Sequence, residues 1–161
     1  MWKRPVTVSV AAIVLTLGID LDAHHSFAMY DPSVTYVFTG VVDSVNPDPS
    51  HLQVVFVPLN EQRDALVRDA KGQRATWTVE MAGAAAAARE GISVNSFPRG
   101  TVFSVGLMPL RNGEPGGARL DALFECPMGK APEPGKHCDS VEGAIRHGSG
   151  ELPTPTGTWS P

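Results

Sequence analysis

Between two stretches of β-type alternation, residues 74–81 (RATWTVEM) and 101–108 (TVFSVGLM), the chain carries one short stretch suited to a helix. Residues 83–90 are alanine-rich and end at Arg89-Glu90 before Gly91. Alanine is the best helix former, and a glycine just past the last turn is a common stop, although low complexity is the competing reading. A lone helix inserted into a run of strands restricts the architectures open to a chain of this size.

The strands on either side complete the order. Residues 34–45 (VTYVFTGVVDSV) are β-branched and aromatic, and the interior Gly40 suggests a bulge or a sharp bend. Asn46-Pro47-Asp48-Pro49-Ser50 signals a turn, after which residues 51–57 (HLQVVFV) read as a second strand ended by Pro58. Residues 60–73 are polar and read as a long loop, with a helical turn possible over 61–68. In residues 74–81, Ala75, Trp77, Val79 and Met81 share one face, which predicts a half-buried third strand with Trp77 in the core. Residues 101–108 form the fourth strand and residues 111–117 a glycine-rich hairpin turn; residues 118–125 (ARLDALFE) suit strand or helix by propensity and read as a fifth strand because the hairpin returns the chain beside strand four.

Strand-strand-strand-helix-strand-strand is the order of an OB-fold, a small five-stranded Greek-key barrel with one helix between strands 3 and 4. A small β-sandwich is the alternative, and it leaves the 84–88 helix unexplained. Such a fold does not select a function. From Pro127 onward proline and glycine dominate, and residues 151–161 are expected to be disordered.

The start of the chain points to export. Met1-Trp2-Lys3-Arg4 is a short positive segment, and residues 6–18 are an uncharged apolar run of about 13 residues. That is short of the roughly 20 needed to span a bilayer, although an uncleaved anchor or a buried strand is the competing reading. Cleavage after Ala23 would remove residues 1–23 as a signal peptide, leave a 24–126 barrel domain and a 127–161 tail, and make His24 the first mature residue. Lys3, Arg4, Asp20 and Asp22 cancel, so the mature chain keeps the net charge of -4. A mildly acidic chain without a basic run argues against nucleic-acid partners, and removal of the signal leaves no membrane span. A periplasmic or secreted location follows. There, Cys126 and Cys138 most simply form one disulfide, closing a short loop for about 2–3 kcal/mol. A metal cluster of these cysteines with Met128 and His137 is the alternative, although its spacing matches no standard zinc pattern.

The segment His24-His25-Ser26-Phe27-Ala28-Met29-Tyr30-Asp31 resembles the opening of an uncharacterised family of exported bacterial proteins. Its members follow His-His-Ser-Phe with a Thr-Gly-Val strand, an Asn-Pro-His turn, a Trp-x-x-Glu strand and a Gly-Asp-x-Val strand. The counterparts here are Thr39-Gly40-Val41, Asn46-Pro47 with His51, Trp77-Thr78-Val79-Glu80 and Gly100-Thr101-Val102. Two departures stand out: Asp48-Pro49-Ser50 intervenes before His51, and Thr101 replaces the aspartate. The resemblance implies an exported, β-rich domain of unknown function and no activity.

The chemistry worth weighing is metal binding. Copper(II) favours imidazole and amine nitrogens in a square-planar arrangement. A mature N-terminal His24 offers its amine and imidazole in one chelate, with His51 as a third ligand and His25 as the fallback. These nitrogens must be deprotonated, so binding should weaken below about pH 6.5. The competing reading is a solvated or capping pair of histidines in an envelope adaptor whose barrel groove binds a protein or glycan. His137 and His147 are expected to be solvent-exposed, and Asp43 and Glu80 to be isolated, outward-facing carboxylates. Ser26, on a chain terminus, lacks the rigid support of an activated nucleophile, so an enzyme is the less favoured reading.

Overall fold

The computed structural model describes residues 27–161. Six strands follow a 3-10 turn at Phe27–Met29: β1 Tyr36–Asn46, β2 Gln53–Pro58, β3 Trp77–Glu80, β4 Val102–Pro109, β5 Gly116–Glu125 and β6 Ile145–His147. One helix, α1 (Ala84–Arg89), separates β3 from β4. Strand β1 pairs antiparallel with both β2 and β4, β2 with β3, and β4 with β5. A parallel pairing of β3 with β5, Thr78 opposite Gly116, closes the barrel. The expected five-stranded barrel with a helix between strands 3 and 4 is the observed fold, not the sandwich. Strand β6 is an addition that pairs with β5 outside the closed ring.

Alternation in the sequence translates directly into the core. Ala75, Trp77, Val79 and Met81 are all buried, whereas Arg74 and Thr76 are exposed. Trp77, Val79 and Met81 share one core cluster with Val54 and Phe56 from β2 and Phe103 and Leu107 from β4. Helix α1 contributes Ala87, and Phe97 in the connection after it stacks edge-on against Phe103 at 5.4 Å. The long 60–73 loop has turns and the isolated bridges Leu59–Leu66 and Arg68–Arg74, with no helical turn.

Gly40 has a different role from the one its position suggested. The register of β1 against β2 slips between Val42 and Ser44, so the bulge is at Asp43. A Cβ on Gly40 would stand 2.6 Å from the Phe56 ring and 2.9 Å from the Val57 carbonyl oxygen. The glycine lets the Phe56 ring lie flat against the β1 backbone.

Past Pro127 the chain does not leave the barrel. Cys126 and Cys138 are joined by a disulfide, 12 residues apart, which excludes their use as metal ligands. Residues 151–161, expected to be disordered, lie along the barrel instead. Thr35 N–H donates to Thr156 Oγ1 at 2.9 Å, and the Thr156 N–H returns a bond to the Thr35 carbonyl. Trp159 then packs edge-on against Trp77 at 5.2 Å and Phe38 at 5.7 Å. A single tryptophan near the end of an aperiodic tail anchors it by burying aromatic area. No helix among the described residues is long and apolar enough to cross a membrane.

Candidate functional site

Antiparallel pairing of β2 and β3 places Gln53 opposite Glu80, and this register organises the site. Asp48 accepts the N–H groups of Ser50 (2.8 Å) and His51 (3.2 Å), so the Asp48-Pro49-Ser50 insertion folds as an Asx turn. That turn delivers His51 to the end of β3. Its Nδ1 lies 3.2 Å from Glu80 Oε1, while Gln53 Nε2 donates to the other carboxylate oxygen at 3.4 Å.

A third donor reaches Glu80 from the start of the described chain. Tyr30 bridges to Leu110, Asp31 N–H donates to the Pro109 carbonyl, and Arg111 Nε donates to the Ala28 carbonyl. These bonds hold residues 28–31 beside the β4–β5 hairpin. Tyr30 is buried, and burial, together with the charge of Glu80 and a hydrogen bond to it, pushes the phenol up to about 12. The phenol therefore stays protonated and donates. Glu80 is thus a hub for Tyr30, His51 and Gln53, and not the isolated carboxylate its sequence position suggested. A pocket of about 480 Å³ opens beside it, lined by Met29, Tyr30, Gln53, Thr78, Glu80 and the β5 glycines.

His24, His25 and Ser26 lie outside the described residues. Among the described residues no group of three or more His, Cys, Asp or Glu side chains is arranged to hold a metal. His51 is at the site edge, half-buried, with Glu80 behind its Nδ1.

Two further histidines depart from the expectation of solvent exposure. His147 is buried in β6; its Nδ1 donates to the Glu90 carbonyl at 2.7 Å and its Nε2 meets Glu125 at 3.0 Å. It ties β6 to the residue after α1. His137 is half-buried beside the disulfide, with Nδ1 2.8 Å from Thr39 Oγ1. Asp43, by contrast, is a surface residue as expected, paired with Arg99 at 2.8 Å.

Thr39, Ser104 and His137 form a second polar cluster that sequence reasoning did not find. Cys138 N–H donates to Ser104 Oγ at 2.8 Å, and the Ser104 and Thr39 hydroxyls are 2.7 Å apart. If Ser104 donates to Thr39 and Thr39 donates to His137 Nδ1, every hydroxyl proton has an acceptor. The reverse direction strands the Ser104 proton at a fully buried site. Burial, reinforced by the nearby Arg63 charge, holds the His137 pKa below its ordinary value. The lowered pKa favours the neutral imidazole, and the direction of the hydroxyl chain places its proton on Nε2.

Compared with known protein families, residues 12–119 match the one described as "Family of unknown function (DUF6152)". No curated protein and no solved structure matches the chain.

Proposed function

We propose, for a chain that belongs to this family of unknown function, that it is an exported metal-binding protein taking copper(II). Its ligands in this reading are the amine and imidazole of a mature His24 and the imidazole of His51, with His25 as the substitute. The observation that carries the reading is the Glu80 carboxylate at His51 Nδ1. A carboxylate behind one ring nitrogen is the usual support that fixes the tautomer and ring orientation of a metal-ligating histidine. Tyr30 and Gln53 hold that carboxylate in turn.

The test is copper titration of the correctly processed protein, followed by the d–d absorption band and electron paramagnetic resonance. The expected result is one tight site with nitrogen hyperfine structure, lost when one extra residue precedes His24. His51→Ala should change the coordination, and Glu80→Gln should weaken affinity about 10–100-fold. Equal, weak binding by the processed and extended proteins refutes the reading. The protein would then be better described as an envelope adaptor binding a protein or glycan through its barrel groove.

A further inference from the structure

Strand β1, the 59–67 loop, residues 135–137 and the C-terminal segment border an open groove of about 610 Å³, whose lining does not include Glu80. One wall is aromatic, made of Tyr36, Phe38 and Trp159. The same lining carries two nitrogen donors, Arg63 and His137.

Arg63 is unusual in three respects. Its backbone adopts φ +62°, a left-handed conformation that costs a side-chain-bearing residue roughly 1–2 kcal/mol. Its hydrogen bonds among the described residues all go to carbonyl oxygens, those of Lys136 (2.9 Å), Asn60 (2.9 Å) and Leu59 (3.5 Å). It is also half-buried, and burial lowers its pKa while the charge of Glu61 acts only as a weaker opposing influence. Carbonyl acceptors offset part of the cost of taking a guanidinium from water, and a carboxylate or phosphate offsets more, because the bond is then between opposite charges. Beside it, the hydroxyl chain from Ser104 through Thr39 leaves His137 with Nε2–H as a second donor. An acceptor of negative charge between these two groups would satisfy both.

We propose that this groove binds a small aromatic monocarboxylate, with the carboxylate held by Arg63 and His137 and the ring against Tyr36, Phe38 and Trp159. Glu61 on the same rim disfavours a dianion. The site is independent of the His51–Glu80 edge and of any metal.

The test uses phenylacetate, with phenylacetamide as its uncharged twin, titrated into the disulfide-bonded protein by calorimetry and by the fluorescence of Trp159. Saturable one-to-one binding of phenylacetate, at least tenfold tighter than that of phenylacetamide, is expected. Arg63→Gly should weaken phenylacetate binding at least tenfold. Glycine accepts the positive φ without strain, so what this variant loses is the side chain with its bonds to the Lys136, Asn60 and Leu59 carbonyls. Absence of saturable phenylacetate binding overturns the proposal, as does equal affinity for the amide, a comparison made on the unmutated protein. Unchanged affinity in a folded Arg63→Gly variant overturns it equally.

Discussion

Replacing Thr39 by valine removes a hydroxyl while preserving shape and β-branching, and it isolates the Thr39–Ser104–His137 chain. The Thr39 hydroxyl sits 2.7 Å from Ser104 Oγ and 2.8 Å from His137 Nδ1, and both hydroxyl residues are buried. Without it, the Ser104 proton has no acceptor at a site with no water access, while the half-buried His137 Nδ1 is partly recovered by solvent. An orphaned buried polar group costs about 1–3 kcal/mol, so the first loss takes most of that range and the second the low end, about 2–3 kcal/mol together. Thr39→Ser keeps the hydroxyl and deletes one methyl, for about 1 kcal/mol. Urea unfolding of the disulfide-intact protein at pH 7.5, followed by tryptophan fluorescence, should therefore rank wild type above Thr39→Ser above Thr39→Val. Valine has the better hydrophobicity and comparable strand propensity, so packing alone predicts the opposite order of the two variants. A Thr39→Val protein as stable as Thr39→Ser, or more so, refutes the directed hydrogen-bond chain.

Three other outcomes follow from the same structure. Because the folded pKa of His137 is lowered, the unfolded chain binds its proton first. Its stability contribution is therefore complete above about pH 6.5 and declines as pH falls from there, by at most about 1.4 kcal/mol per pH unit. In His137→Gln this part of the pH dependence disappears, which unfolding curves at pH 7.5 and 5.5 would show. Reduction of Cys126–Cys138, which closes a 12-residue separation, should lower the unfolding free energy by about 3 kcal/mol, measured with and without reductant. Gly40→Ala should cost about 1–3 kcal/mol in the same assay, since its methyl meets the Phe56 ring and a carbonyl that cannot retreat.

The barrel was legible in the sequence because its information is local. Trp77 and Val79 alternate with Thr78 and Glu80, and the alanine run at residues 84–88 has no strand period, so each segment announces its own state. Strand β6 escaped detection because three residues, Ile145–His147, between glycines carry no period at all; pairing with Leu123–Glu125 makes them a strand. His147 is buried for the same non-local reason, since the acceptors on its two nitrogens come from the residue after α1 and from β5. The C-terminal segment looked unstructured because its anchors, Thr156 on Thr35 and Trp159 on Trp77 and Phe38, are single contacts with no period between them.

Glu80 shows why candidate sites are harder to read than folds. Its neighbours in sequence, Val79 and Met81, say only that its side chain faces out of the barrel interior. What it meets there depends on three separate choices: the β2–β3 register that sets Gln53 across from it, the Asx turn at Asp48 that returns His51, and the bridge from Tyr30 to Leu110. Each choice is made by backbone hydrogen bonds between segments 27–50 residues removed from Glu80, or by a turn with three inserted residues before His51. The insertion accommodates itself because Asp48 caps the turn, so extra length between Asn46-Pro47 and His51 need not move the histidine. A Trp-x-x-Glu strand and a histidine after an Asn-Pro turn are therefore separate motifs only along the chain; in the barrel their glutamate and histidine meet at 3.2 Å.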